Sequence, residues 1–203
     1  MQSKTEEQEF RKSLVRIAIP AALQSLLQSS FSIIDQVMIG QLGSASIAGI
    51  GLAGKFASLY SVVLGAVAAA AGIMLAQYIG QRNEQALGSS FRRNMALSLA
   101  IAAVFTLVCM LFPMKIMSLY TNDAETCENA AVYLKIYAYS LIPMAVTSIV
   151  SVLLRCMENA VLPLIAGILS VALNTIMNYV LIFGRCGFSA MGVKGAAIAS
   201  VIC

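Results

Sequence analysis

Long apolar runs, separated by short polar stretches, occupy most of the 203 residues of this chain. The runs lie at residues 14–39, 48–79, 95–112, 130–154 and 162–183, and a last one occupies 195–203. A helix of about 20 apolar residues crosses the roughly 30 Å hydrocarbon core of a bilayer. The pattern therefore predicts five full transmembrane helices and the start of a sixth, in an all-α integral membrane protein.

Composition supports this prediction, because hydrophobic residues make up 60% of the chain, charged residues only 11%, and the mean hydropathy is +0.86. A soluble domain usually carries about 25% charged residues. The N-terminal stretch MQSKTEEQEFRKSLVR carries charges of both signs and no small-residue cleavage site follows it. It predicts a cytoplasmic lead-in to the first span rather than a secretory signal.

Successive spans place the segments between them alternately on the two sides of the membrane, and lysine and arginine are unevenly divided between these sides. Eight lie on the side of the N-terminus: Lys4, Arg11, Lys12, Arg16, Arg82, Arg92, Arg93 and Arg155. Five lie on the other side: Lys55, Lys115, Lys135, Arg185 and Lys194. Since cytoplasmic loops carry the excess of basic residues, the N-terminus is predicted to be cytoplasmic in a multi-pass protein of the plasma membrane.

One face of the first apolar run carries nearly all of its polar side chains. At 100° per residue, Gln24, Gln28, Ser32 and Asp35 fall within an arc of about 80°. Asp35 is the single acidic residue of that run. An intramembrane acid is by default a candidate functional site, so Asp35 is predicted to take up and release a proton or a cation. The neighbouring polar residues suit interhelical hydrogen bonds equally well.

Polar residues also line one face of the fifth run, where Ser170, Asn174 and Asn178 recur at every fourth position. Two asparagine amides on one face suit a cation or a protonated carboxyl, and the spacing leaves plain interhelical hydrogen bonds equally open. Pro20 in the first run and Pro143 in the fourth each remove one backbone hydrogen bond. These prolines predict kinks or hinges.

The sequence contains few of the residues and motifs that enzymes and metal sites use. Histidine is absent, and the five cysteines have no CxxC or metal-ligand spacing. Neither HExxH nor GxSxG occurs, and one lone intramembrane aspartate does not make a two-acid protease pair. The sequence therefore predicts a protein that is not an enzyme, with no cofactor, no bound metal apart from a coupling ion, and no nucleic-acid partner.

Five segments, in order, resemble the multidrug and toxic compound extrusion (MATE) transporters: IAIPAALQSLLQSSFSIIDQVMIGQLGSASIAGIGLA, AQYIGQRNEQA, LLRCMENAVLPL, LNTIMNYVLIFG and MGVKGAAIAS. The resemblance implies the N-terminal lobe of a twelve-helix protein whose two six-helix lobes alternate in access, so the C-terminal lobe is the expected partner. It implies export of organic cations, drugs or other amphiphiles in exchange for H⁺ or Na⁺. The last run stops at Cys203 without a polar cap, which also predicts a piece of a longer protein.

The resemblance also implies roles for individual residues. Asp35 is expected to bind the coupling ion, H⁺ or Na⁺, and Asn174 and Asn178 match fifth-span positions of the same site. Tyr133 matches a tyrosine near that site. The substrate cavity is expected to be lined by residues of the first span, namely Gln24, Gln28 and Ser32.

Two departures from the family pattern have consequences. Some members carry a second aspartate where this chain has Asn178, so the choice between proton and sodium stays open. Glu158 stands where glycine is usual, and a positive φ there would strain the backbone by roughly 1 kcal/mol.

The main alternative function is a flippase for lipid-linked saccharides, from the wider superfamily with this architecture. Such proteins tend to place several cationic residues in the central cavity to hold a pyrophosphate. The first-span face is acidic and rich in amides, which argues against an anionic substrate. A purely structural membrane subunit stays open only if Asp35 has no role in transport.

Overall fold

The computed structural model of the protein describes residues 15, 18–27, 29–30, 33, 36–185 and 189–203. Regular structure in this part of the chain is entirely helical. The helices are α1 (Ala18–Leu27), α2 (Ser44–Gly80), α3 (Glu84–Leu111), α4 (Pro113–Ser118), α5 (Ala124–Tyr137), α6 (Leu141–Cys156), α7 (Val161–Phe183) and α8 (Val193–Ile202). Two short 3₁₀ turns, Gly40–Leu42 and Ala138–Ser140, precede α2 and separate α5 from α6.

Four helical stretches of the described chain are long and apolar enough to cross a membrane. They are α2, α3, α7 and the stretch Ala124–Cys156, which α5, the second 3₁₀ turn and α6 form together. Over their described residues α1 and α8 are shorter apolar helices. The prediction of an all-α membrane fold is thus met by helices of membrane-spanning length.

Two helices begin well before the apolar runs that predicted them. Helix α3 begins at Glu84 and α5 at Ala124, whereas the runs begin at residues 95 and 130. Each helix has a polar N-cap: the Asn83 side chain accepts from Ala86 N at 3.0 Å, and the Asp123 carboxylate accepts from Thr126 N at 2.9 Å. A cap fixes where a helix begins, while hydropathy marks only the part that suits lipid.

Helix α2 lies at the centre of the described helices and packs against α3, α5 and α6. Its buried positions are mostly small or apolar, among them Ala53, Leu64, Ala71 and Leu75. At Gly49 a Cβ atom would lie 3.0 Å from backbone atoms of α5, so glycine is needed for this close approach. Small residues hold membrane helices together through such packing, because lipid tails leave little hydrophobic driving force between helices.

The break between α5 and α6 lies at Ala138–Ser140, where the helix tightens into a 3₁₀ turn. Pro143 is the third residue of α6, and its ring clashes with a regular α-helical carbonyl at Tyr139, four residues earlier. The 3₁₀ turn thus lies where Pro143 excludes a regular α-helical bond, and a kink at Pro143 stays a prediction. Pro20 lies in α1, which is continuous over residues 18–27. Hinge motion at either proline stays a prediction.

Side chains from two neighbouring helices bind the carbonyls around this break. Tyr60 Oη of α2 donates to Leu141 O at 2.7 Å, and Thr106 Oγ1 of α3 donates to Ala138 O at 3.3 Å. A carbonyl left unsatisfied in hydrocarbon costs several kcal/mol. These bonds therefore fix the break and tie the α5–α6 stretch to α2 and α3.

Three helix ends turn through a residue with positive φ. Arg82 (φ 54°) follows α2, Glu158 (φ 59°) follows α6 and Gly184 (φ 67°) follows α7. At each end the next amide bonds back to a carbonyl five residues earlier, as in the Schellman motif. The positive φ expected at Glu158 is therefore present. At Gly184 a Cβ would also lie 2.5 Å from Ala190 N, so glycine is needed there for space as well.

Candidate functional site

The residues predicted to form the site fall into two groups. Asp35, Gln28 and Ser32 lie outside the described residues, so their predicted roles stay predictions. The described members are Gln24 on α1, Tyr133 on α5, and Asn174 and Asn178 on α7.

The polar face of α7 forms a seam with α8. Asn178 is fully buried, and its Nδ2 donates to Asn174 Oδ1 at 3.1 Å. One turn before Asn174, Ser170 Oγ donates to Cys203 O at 2.6 Å. The two helices approach closely, because a Cβ at Gly195 of α8 would lie 2.7 Å from Leu181 O. The seam thus presents amide groups in an interior where a bound cation or protonated acid finds neutral oxygen acceptors.

Tyr133 contacts α8 from α5. Helix α8 packs against both α5 and α7. The buried Tyr133 hydroxyl lies 3.4 Å from Ser200 Oγ on α8, and its ring stacks on that of Tyr137 with 5.8 Å between centroids. The structure therefore places Tyr133 and the asparagine pair on two helices that share α8 as a neighbour.

Gln24 has contacts that the sequence did not indicate. Its Oε1 accepts a hydrogen bond from Arg155 Nη2 at 2.9 Å, and Gly167 of α7 lies against its side chain. Arg155 is the last-turn cation of α6 and is distant in sequence, so spacing alone does not reveal the pair. The alternation of spans does place both residues near the membrane side that carries the N-terminus, and this is the signal that the sequence offers for the pair. The interaction joins α1, α6 and α7 at one end of the site.

A cavity of about 600 Å³ lies at the other end of α7. It is lined by Met38, Gln41, Tyr179, Phe183, Gly184 and Arg185. Its position, directly after Asn178 in α7, is one that periodicity analysis did not single out. In the described residues, no cluster of three or more histidine, cysteine, aspartate or glutamate side chains has the geometry of a metal site.

The chain belongs to the MatE family, whose profile matches residues 20–180. The family resemblance noted from sequence segments is thereby confirmed, and the chain is a multi-pass membrane protein of a transporter family. A relative is the probable multidrug resistance protein NorM of Thermotoga maritima, which is 30% identical over 98% of this chain and 43% of its own length. A NorM of Agrobacterium fabrum is 29% identical over 95% of this chain and 41% of its own.

Solved structures share the fold. A crystal structure of MATE in the bent conformation superposes with a TM-score of 0.83 at 21% identity, over 95% of this chain and 42% of that one. An outward-facing multidrug resistance MATE family transporter of the MOP superfamily gives a TM-score of 0.80 at 22% identity, over 94% and 42%. The chain spans about two fifths of the length of the relatives that it matches.

Proposed function

We propose that the whole protein exports cationic or amphiphilic small molecules in exchange for H⁺ or Na⁺, and that this chain supplies the lobe that binds the coupling ion. Family membership and the multidrug-resistance names of the NorM relatives support transport of such molecules. The observation that carries the ion-binding role is the buried Asn178–Asn174 amide pair on α7. A second lobe from the same protein completes the proposed substrate path.

Asp35 is the proposed acid of the coupling site, together with Asn174 and Asn178. Two described positions relate the first span to α7: Gln24 lies beside Gly167, and Met38 lines one cavity with Tyr179. Both relations run in the same direction along the chain, so Asn174 and Asn178 lie between Gly167 and Tyr179 on α7, as Asp35 lies between Gln24 and Met38 in the sequence. This order supports a shared site.

The proposed mechanism follows from the cost of a bare charge in a membrane interior. A carboxylate there needs a proton or a cation, and neutral amide oxygens complete the coordination without adding charge. Ion and substrate then favour different conformations of the transporter, and this difference in affinity couples their movements. A potential of about 100 mV supplies roughly 2.3 kcal/mol per charge moved.

The proposed orientation places the N-terminus in the cytoplasm. The ends that join α2 to α3 and α6 to α7 carry Arg82, Arg92, Arg93 and Arg155, which is consistent with the positive-inside rule. The check is a single cysteine at Gln85 or at Lys194 in a cysteine-free background. A membrane-impermeant thiol reagent should label Gln85→Cys only in inverted vesicles and Lys194→Cys only in right-side-out vesicles. The reverse pattern contradicts the orientation.

The transport test uses the whole protein in inverted vesicles, with a fluorescent organic cation and with proton and sodium gradients imposed separately. The wild type should accumulate the dye with one of the two ions. Asp35→Asn should abolish the response and Asn178→Ala should weaken it, while Asn122→Ala, in an exposed loop, should match the wild type. If Asp35→Asn transports like the wild type, the coupling site lies elsewhere. If the wild type moves no dye with either ion, a lipid-linked saccharide becomes the substrate to test.

A further inference from the structure

A second cavity lies away from the α7–α8 seam, between the end of α2 and the beginning of α3. Its volume is about 350 Å³, and its walls include Met74, Tyr78, Ser89, Arg93, Asn94 and Leu97. None of the residues lining it is acidic. The polar groups at the wall therefore supply hydrogen-bond donors, chiefly the guanidinium of Arg93 and the hydroxyls of Ser89 and Tyr78. This chemistry suits an anion.

Arg93 is available for such an anion. In the described part of the chain, no hydrogen bond or ion pair engages its guanidinium, and the side chain is exposed. The neighbouring Asn94 is already occupied, because its Nδ2 donates to Ser90 O at 2.9 Å and to Ser90 Oγ at 3.3 Å. That pair holds the inner wall in place and leaves Arg93 as the charged group of the cavity.

The cavity lies at the border between polar and apolar residues of α3. Arg93 and Asn94 directly precede the apolar run that begins at residue 95. The flanking Met74 and Leu97 are 41% and 51% exposed, although both are apolar. A ligand that fits this border has an anionic group for Arg93 and hydrocarbon for the exposed methionine and leucine. A planar guanidinium binds phosphate oxygens in pairs, and basic pockets between transmembrane helices take lipid headgroups.

We propose that this cavity binds the phosphate of an anionic phospholipid headgroup, with Arg93 as its main ligand and Ser89 and Tyr78 as hydroxyl donors. The acyl chains lie along Met74 and Leu97. The site is separate from the proposed coupling site and does not depend on the direction of transport. Its test is therefore a binding measurement, which stays informative whatever the coupling ion proves to be.

The adjacent arginine provides a matched control. Arg92 is also exposed and carries the same charge one position earlier on α3, but it does not line the cavity. Arg92→Gln and Arg93→Gln change the net charge of the protein equally. A general attraction of lipid to positive charge therefore affects both variants alike, whereas a site in the cavity affects only the second.

The experiment is native mass spectrometry of the complete protein in detergent, titrated with dioleoyl phosphatidylglycerol and, separately, with dioleoyl phosphatidylcholine. We expect tighter binding of the anionic lipid, weakened about tenfold in Arg93→Gln and unchanged in Arg92→Gln. Arg93→Lys should bind with intermediate affinity, because it keeps the charge and loses the paired geometry. Ser89→Ala should weaken binding by a smaller factor.

Several results would overturn the proposal. Equal weakening in the two glutamine variants would show non-specific attraction, and equal affinity for both lipids in the wild type would show no anionic site. A parallel arm measures thermal protection of the detergent-solubilised protein by inorganic phosphate at constant ionic strength. Protection that is lost in Arg93→Gln, combined with no preference for the anionic lipid, would assign the cavity to a soluble phosphate instead.

Discussion

Helices α2 and α7 are both long and apolar enough to cross a membrane, but they pack differently. Helix α2 packs against α3, α5 and α6. In the described part of the chain, helix α7 packs chiefly against α8. The most deeply buried side chain of α7 is the amide of Asn178, whereas α2 buries alanines and leucines.

The difference is consistent with a scaffold role for α2 and with the proposed ion-binding role of α7. Apolar burial in a membrane gains little over lipid, so α2 holds its neighbours through small residues and through the Tyr60–Leu141 hydrogen bond. An amide buried in α7 must be hydrogen-bonded, because an unsatisfied polar group in an apolar interior costs several kcal/mol. Substitutions in α2 should therefore change stability while leaving ion dependence intact, and substitutions of the α7 asparagines should change ion dependence for a small loss of stability.

The largest expected effect comes from adding a methyl group where α7 and α8 pack closely. Gly195→Ala places Cβ 2.7 Å from Leu181 O, so the helices must separate, at a loss of about 1–3 kcal/mol in unfolding free energy. Thermal unfolding of the complete protein in detergent measures it. Gly51→Ala in α2 is the control, because nothing lies within 4 Å of its Cβ position. Equal melting temperatures for the two variants would show that the seam is not tightly packed.

Tyr60→Phe tests the scaffold. The change removes the hydrogen bond to Leu141 O, and we expect a loss of about 1 kcal/mol in stability with unchanged ion dependence of transport. Tyr139→Phe is the matched control, since Tyr139 is 59% exposed. A change in the ion dependence of transport caused by Tyr60→Phe would show that α2 contributes to coupling as well as to stability.

Arg82→Gly addresses a strained helix end of the scaffold. Glycine adopts the observed φ of 54° without a Cβ penalty, so a gain of up to about 1 kcal/mol is expected. Thermal unfolding should show a raised Tm, and Glu158→Gly tests the same geometry at the end of α6. An unchanged or lowered Tm for Arg82→Gly would show that its side-chain contacts outweigh the strain.

The Asn174–Asn178 pair is best measured by a double-mutant cycle. The two alanine variants and their combination should give a coupling energy of about 0.2–0.5 kcal/mol in stability, as for other i, i+4 side-chain pairs on a helix. Their effect on ion-driven transport should be much larger than this energy implies. If transport follows stability alone, the pair has only a structural role.

The smallest expected effect is a pH dependence at the start of α5. Hydrogen bonds from Thr126, first from its side chain and then from its backbone amide, lower the pKa of Asp123. The folded state therefore favours the carboxylate, and its stabilising effect is present above the unfolded pKa of about 3.9 and is lost as the pH falls through the lower folded value. Unfolding of Asp123→Asn, which keeps a cap but does not titrate, should lack this acid dependence. An identical acid profile in both proteins would contradict the assignment.

The sequence predicts the all-α membrane fold because the bilayer imposes one simple rule, continuous apolar length. The 3₁₀ turn before Pro143 is consistent with the same kind of local rule, since the ring excludes a regular helical hydrogen bond. Helix ends such as Glu84 are missed by hydropathy, because a capping side chain determines them. The start of α3 and of α5 can therefore be predicted only if Asn83 and Asp123 are recognised as N-caps.

The periodicity of polar and apolar residues does not predict contacts between helices that are distant in sequence. Periodicity places Gln24 on a polar face, and topology places it on the same side as Arg155, but neither identifies the two residues as partners. The face shared by Asn174 and Asn178 is likewise predictable from spacing, whereas its approach to α8 follows from Gly195 and Leu181 meeting across the seam. One-dimensional spacing thus identifies faces, and tertiary packing decides which face meets which.

The hydrogen bond between Gln24 and Arg155 has a consequence for biosynthesis. The two residues are 131 positions apart, and translation adds about 5–20 residues per second. Gln24 therefore leaves the ribosome roughly 7–26 s before its partner, and the first span must enter the membrane while that polar group is unpaired. The pairing of Gln24 with Arg155 waits for α6 to be synthesised, and its contact with Gly167 waits for α7.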